Sequence, residues 1–385
     1  MSEYQYYEFV AIDQPLTEDQ QAELRTISTR ALITPTSFVN HYEWGDLKAE
    51  PRRLVEGYFD AFLYLANWGT RRLAFRLPAE VFGSSATAVL NRYLVGDCST
   101  AWTTGGHAVV DLSTGDDDGE YDDDWLDGSG LLASIVPVRA EVMAGDLRLL
   151  YVAWLLAVVN GEVDEDEVEP PVPPGLDRLS AALRMVVDFL RIDPDLVAVA
   201  AERSAPLRID DTLTELSGWL AQLPEESKDA FLLRVARGEG PRVRAELLAG
   251  CRRMAASFGA GGEGGRTAGE LLAWARGRRE DRQRAAQEAA ARRAAERRLA
   301  AERAREAHLT QLAGRQDQAW REVLELVERR TAADYDAAAA LLADLVEVCR
   351  REGTSETFAD RVAQLRREQR RKISFLQRLD RVGVV

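Results

Sequence analysis

Eight carboxylates fall within the seventeen residues Thr114 to Gly130, TGDDDGEYDDDWLDGSG, and the chemistry they suggest is cation binding. A calcium loop of the EF-hand type needs oxygen ligands at positions 1, 3 and 5, glycine at 6 and a bidentate glutamate at 12. With Gly119 at position 6, Thr114, Asp116, Asp118 and Asp122 take ligand places, but position 12 is Trp125, which has no oxygen. With Gly128 at position 6, Trp125 falls at 3 and Ser134 at 12. Both registers fail, so the tract reads as a solvated loop leaving a strand, with a loose divalent site as the weaker alternative. His41, His107 and His308 have no second His or Cys at ligand spacing, and Cys98, Cys251 and Cys349 form no CxxC. A Cys98–His107 pair would sit across a predicted hairpin and packs there more readily than it catalyses. GAGGEGG lacks both the preceding strand and the lysine of a phosphate loop, and the nucleophile-elbow, zincin and dinucleotide fingerprints do not occur. The sequence therefore predicts no catalytic triad, no cofactor and no metal.

Basic chemistry is concentrated late in the chain. Arg276 to Arg305 holds eleven arginines against five acids, and RREQRRKISFLQRLDR follows at Arg366–Arg381. Candidate contacts to nucleic acid or an acidic partner are Arg278, Arg279, Arg282, Arg284, Arg292, Arg293, Arg297 and Arg298, then Arg370, Arg371 and Lys372. Such a helix could track a phosphate backbone. The competing reading is a solvated helix held by pairs such as Glu288–Arg292, and the lack of interleaved aromatics favours it. Only Lys48, Lys228 and Lys372 are lysines, a coding bias that weakens arginine abundance as evidence of phosphate binding. Tyr42, Trp44 and Trp68 are candidate partner contacts, with core packing the simpler role for each.

These groups need elements to hold them. YQYYEFVAID, TSFVNHYEW and RRLAFRLP have the β-branched and aromatic content of strands, and STAWTT-GG-HAVVDLS reads as a hairpin. TEDQ at Thr17 is a capping box for a helix through Ile27. Leu54, Tyr58, Ala61, Phe62 and Leu65 make one apolar stripe, predicting a helix from Pro51 that Gly69 stops. The fold class expected is α+β: a mixed domain over 1–128, ferredoxin-like in order, then a helical domain over 129–258. A Gly-rich linker is expected at 259–269, followed by a long charged helix and a helical bundle over 270–385. Asp193 and Pro194 should open one middle helix, and Asp146 should cap the apolar run LLYVAWLLAVV. That run is eleven residues, too short for a bilayer.

The net charge of −15 is uneven: residues 1–230 hold 17 basic and 41 acidic side chains, residues 231–385 hold 32 and 23. The asymmetry suits a polyanionic partner or a basic back resting on the protein's own acidic front. An acidic, aromatic start without an apolar stretch is no signal peptide and implies the cytoplasm, away from membranes. The blocks YYEFVAIDQPLTEDQQAELRTISTRALITPTSFVNHYEWGD, YFDAFLYLANWGTRRLAFRLP, VEPPVPPGLDRLSAAL and ISFLQRLDRVG resemble a family of uncharacterised bacterial proteins. The resemblance brings no catalytic residues; it implies a genomic neighbourhood of SWIM zinc-finger proteins and Swi/Snf-type helicases. The function expected is a non-enzymatic adaptor with a protein partner, accessory to such a DNA system. The alternative is a nucleic-acid-binding subunit using the arginine-rich helices.

Overall fold

The computed structural model describes residues 4–115, 128–207, 212–240 and 265–384, with 243, 244, 246–248 and 250. Asp116–Asp127 of the acidic tract lie outside them, as do residues 251–264, which include 259–264 of the expected Gly-rich linker. The chain forms two compact units, Met1–Asp281 and Arg282–Val385. The division falls within a helix and not at the Gly-rich segment. The expected α+β and helical domains share the first unit and one apolar core.

That unit is built on a seven-stranded antiparallel sheet, ordered β2-β3-β1-β4-β5-β7-β6. The strands are β1 Gln5–Val10, β2 Leu32–Thr34, β3 Ser37–Tyr42, β4 Ala61–Ala66, β5 Arg71–Pro78, β6 Ser99–Thr104 and β7 His107–Thr114. With helices α1 (Glu18–Ile27) and α2 (Pro51–Gly57), the first four strands run β-α-β-β-α-β in the order 4-1-3-2, which is ferredoxin-like. Strands β5, β7 and β6 then extend the sheet beyond that plan.

The strand set differs from the sequence reading. Residues 61–66 were expected to continue a helix, and they are central strand β4. Both faces of β4 are covered: Ala61, Leu63 and Leu65 point into one core, while Phe62 points into the other. A strand buried on both sides shows no alternation, so its apolar run mimics a helical stripe. Helix α2 stops where the amide of Tyr58 donates to the Leu54 carbonyl. Asp60 then anchors the turn into β4, its Oδ2 accepting from the amides of Ile12 (2.7 Å) and Asp13 (2.9 Å). Its Oδ1 faces Arg76 at 2.9 Å and Arg139 at 3.8 Å. Gly69, expected to cap a helix, takes φ 97° in the β4–β5 turn instead.

Helices α1 and α2 bury Leu24, Leu54 and Val55 on one sheet face, against Phe9, Phe38 and Phe62. The other face is covered by α3 (Ala86–Tyr93), α4 (Leu131–Ile135), α5 (Pro137–Met143), α6 (Arg148–Val159), α7 (Ala181–Phe189) and α8 (Pro194–Ala201). Helix α6 is the predicted apolar run, and Asp146 accepts from the amide of Arg148 at 3.0 Å at its start. Among the described residues no single helix is long and apolar enough to cross a membrane. Helices α9 (Thr212–Gln222) and α10 (Glu225–Arg234) follow.

Helix α11 (Ala268–Ala313) crosses the division between the units. The residues just before it are tied down: Thr267 bridges Val168, and the Arg266 side chain is buried. Arg266 makes two 2.8 Å bonds to Glu169 and reaches the carbonyls of Val199 (2.6 Å) and Ala200 (3.1 Å). From Arg276 to His308 every residue is exposed, as alanine and charge with little larger apolar surface would dictate. The second unit closes with α12 (Gln316–Arg329), α13 (Ala332–Glu352), α14 (Ser355–Glu368) and α15 (Ile373–Arg381). Leu312, Val323, Leu342, Val362, Phe375 and Leu379 are among the side chains that make its core, the expected helical bundle.

Candidate functional site

Where the cover of α1 and α2 ends, the same sheet face turns polar. Cross-strand register aligns Tyr7 with Tyr64, Tyr64 with Arg72 and Arg72 with Ser113, while Asp111 stands opposite Thr100. Side chains two residues apart share a face, so this row is contiguous across five strands. It forms the floor of a cleft of about 500 Å³, which Asp46, Pro51, Phe62, Thr70 and Asp97 complete.

The polar groups inside the cleft hold one another. The Tyr7 hydroxyl donates to Asp46 Oδ1 at 2.5 Å, and the Tyr64 hydroxyl donates to Gln5 Oε1 at 2.9 Å. Gln5 Nε2 in turn donates to the Gly45 carbonyl at 2.8 Å, fixing the loop after β3. Arg72 grips both oxygens of Asp111, Nε to Oδ1 at 2.8 Å and to Oδ2 at 3.1 Å, and Nη2 to Oδ2 at 2.5 Å. Burial, then the charge of Asp46, pushes the Tyr64 phenol up to about 12, against a lowering by Tyr7. Burial and the bond to Asp46 drive Tyr7 further up in the same direction. The bond to Asp111 raises Arg72. Both phenols and the guanidinium are therefore protonated near neutral pH, and neither tyrosine can serve there as a base.

The candidate contact aromatics gather at this end of the sheet. Gln5 pairs in register with Tyr42 and Ala66, and Arg71 with Thr114, so the β3 loop, the β4–β5 turn and the end of β7 lie together. Tyr42 is half-buried, its ring edge-on to Tyr7 at 5.8 Å. Trp44 is 74% exposed on the loop that Gln5 fixes, and Trp68, at 38%, sits in the β4–β5 turn. The acidic tract leaves from Thr114 and the described chain resumes at Gly128, where a Cβ would come within 2.5 Å of the Tyr6 ring. Among the described residues no cluster of three or more His, Cys, Asp or Glu could hold a metal ion.

The basic residues divide by role. Arg278 stands 3.8 Å from Asp195 and 3.7 Å from Glu202, and Arg279 pairs with Asp193, so the two fasten α11 to both ends of α8. Arg292 faces Glu288 at 3.9 Å, the predicted intrahelical pair. Arg282, Arg284, Arg293, Arg297 and Arg298 are exposed on α11. At about 100° per residue Arg282, Arg293 and Arg297 fall within roughly 60° of one another, while Arg284 and Arg298 point to roughly the opposite side, so the five form no single basic stripe. Arg370 and Arg371 are exposed between α14 and α15. Lys372 is structural: its Nζ donates to the Val327 carbonyl and to Glu328, both at 2.9 Å, at the end of α12. Cys98 and His107 are not brought together. They lie at opposite ends of the β6–β7 hairpin, roughly 20 Å apart at 3.3 Å per residue, and burial raises the thiol to about 12.

Sequence reasoning named Tyr42, Trp44 and Trp68 but missed Tyr7, Tyr64, Arg72 and Asp111. The signal for the last two was faint: Asp111 is the one carboxylate in its strand, and Arg72 is one of three arginines in RRLAFRLP. Comparison with family models, curated proteins and solved structures gives no match.

Proposed function

We propose that this chain is a non-enzymatic adaptor of the bacterial cytoplasm that binds a protein partner through the cleft and its aromatic rim. The observation that carries the reading is the internal pairing of the cleft: Tyr7 to Asp46, Tyr64 to Gln5 and Arg72 to Asp111. Groups so locked are pre-organised for recognition, and an exposed tryptophan on a fixed loop supplies the aromatic anchor that interfaces favour. The resemblance described above supports a role accessory to a DNA helicase or remodelling system. A photo-crosslinking amino acid placed at Trp44 and irradiated in the native host should give a discrete protein adduct. The same residue at Glu18, exposed on α1, should not. Equal adducts from both positions, or none from Trp44, would refute the reading.

A second reading, nucleic-acid binding by α11, is favoured by the unbroken exposure from Arg276 to His308. It requires the full chain to bind duplex DNA well below the roughly 10⁻⁴–10⁻⁶ M of non-specific contacts, with affinity falling steeply as salt rises.

A further inference from the structure

We propose that the occupant of the cleft is a cationic side chain, arginine or lysine, presented by a basic segment of the partner. This rests on the adaptor reading and adds the chemistry of what is bound. The lining carries three carboxylates, Asp46, Asp97 and Asp111, against one cation, Arg72. Arg72 is spent on Asp111 through its two-pronged pair, which leaves Asp46 and Asp97 without a cation among the lining residues. Among the described residues Asp46 has only the Tyr7 hydroxyl and its neighbour's amide, Leu47 N at 2.7 Å. An anion would meet two uncompensated charges there, and an apolar group would strip water from them without replacing it. A cationic head beside either one replaces that lost solvation with charge pairing.

The remaining walls select the kind of cation. Phe62, Tyr64 and Pro51 line the cleft with apolar surface, and the hydroxyls of Thr70, Thr100 and Ser113 edge it. A compact metal ion needs several oxygens converging on one point, and these carboxylates do not converge. A long side chain fits both surfaces, its methylene stem along the rings and its charged head among the carboxylates. The first unit's own field favours its arrival, since residues 1–281 hold 27 Lys and Arg against 47 Asp and Glu.

The test is calorimetric titration of the full chain with an acetylated tri-arginine amide, its citrulline isostere and spermidine, at about 50 mM salt. The tri-arginine peptide should bind, and the neutral citrulline peptide should not. Removing two surface charge contacts with Asp46→Asn/Asp97→Asn should weaken binding roughly fivefold to tenfold. The double variant Glu18→Gln/Asp19→Asn removes the same charge from exposed α1 and should leave affinity within about twofold. Asp97→Asn alone, at an exposed residue, carries the test if the double variant melts early, and should weaken binding roughly two- to fivefold. Equal weakening by the cleft and α1 variants would show bulk attraction and overturn the proposal. So would binding of the citrulline peptide, no binding by the unaltered chain, or spermidine binding as tightly as the peptide. A Trp44 adduct without peptide binding would sink this chemistry and leave the adaptor. Peptide binding without an adduct would sink the adaptor.

Discussion

Replacing Asp60 by asparagine tests the turn that makes β4 a strand. The carboxylate is 1% exposed and serves two sets of donors at once. Oδ2 accepts the amides of Ile12 and Asp13, and Oδ1 faces Arg76 at 2.9 Å and Arg139 at 3.8 Å. Asparagine has one oxygen and one NH₂. Turned one way, its NH₂ confronts the guanidinium groups; turned the other, it confronts the two amides. Either rotamer buries donors against donors, and the charge is lost as well. Breaking a buried pair on one side costs about 3–5 kcal/mol. Arg139 keeps Asp13, with bonds of 2.6 and 2.9 Å, so the lower end applies. A loss of about 3 kcal/mol should lower the melting temperature of the first unit by roughly 5–10 °C. Tryptophan emission reads this directly, because seven of the eight tryptophans precede Arg282.

The same substitution predicts a pH profile. Burial alone would raise the Asp60 carboxyl, but the Asp13 and Ile12 amides, then Arg139 and Arg76, outweigh it and hold it below the ordinary value. A group depressed in the folded state stabilises fully above its unfolded pKa, about 3.9, and loses that contribution as pH falls through the folded value. The gap between parent and Asp60→Asn should therefore be constant above about pH 5 and shrink on acidification. A stability change under about 1 kcal/mol at neutral pH, or a gap that widens in acid, would refute the argument.

Two further outcomes follow from the placement of basic residues. Lys372→Met should destabilise the second unit by about 1 kcal/mol, by uncapping the Val327 carbonyl, as measured by urea denaturation; an unchanged midpoint would mean water replaces the ammonium. Trypsin under native conditions should spare the Arg266–Thr267 bond, because the side chain is buried and the Arg266 carbonyl accepts from Glu169 N at 2.9 Å. Early cleavage there, detected by mass spectrometry, would show that this junction opens.

What the sequence determined by itself are the features closed within a few residues. Thr17 and Gln20 cap each other at 3.2 and 2.9 Å, as their spacing dictates. Gly105 and Gly106 take φ of 53° and 80° in the predicted hairpin turn. Asp193 caps a helix whose first residue is Pro194. The exposed run of α11 follows from its alanine and charge alone. Tertiary structure decided the rest, since the deciding partner lies far along the chain. AFLYLA reads equally as helix or strand until sheet neighbours bury both its faces. Arg266 sits in a glycine-rich stretch that looks like a linker, and only Glu169, 97 residues away, makes it a buried clamp. The cleft is the extreme case: Tyr7, Tyr64, Arg72 and Asp111 meet because strand register aligns them, and no local pattern encodes register between strands so far apart in sequence.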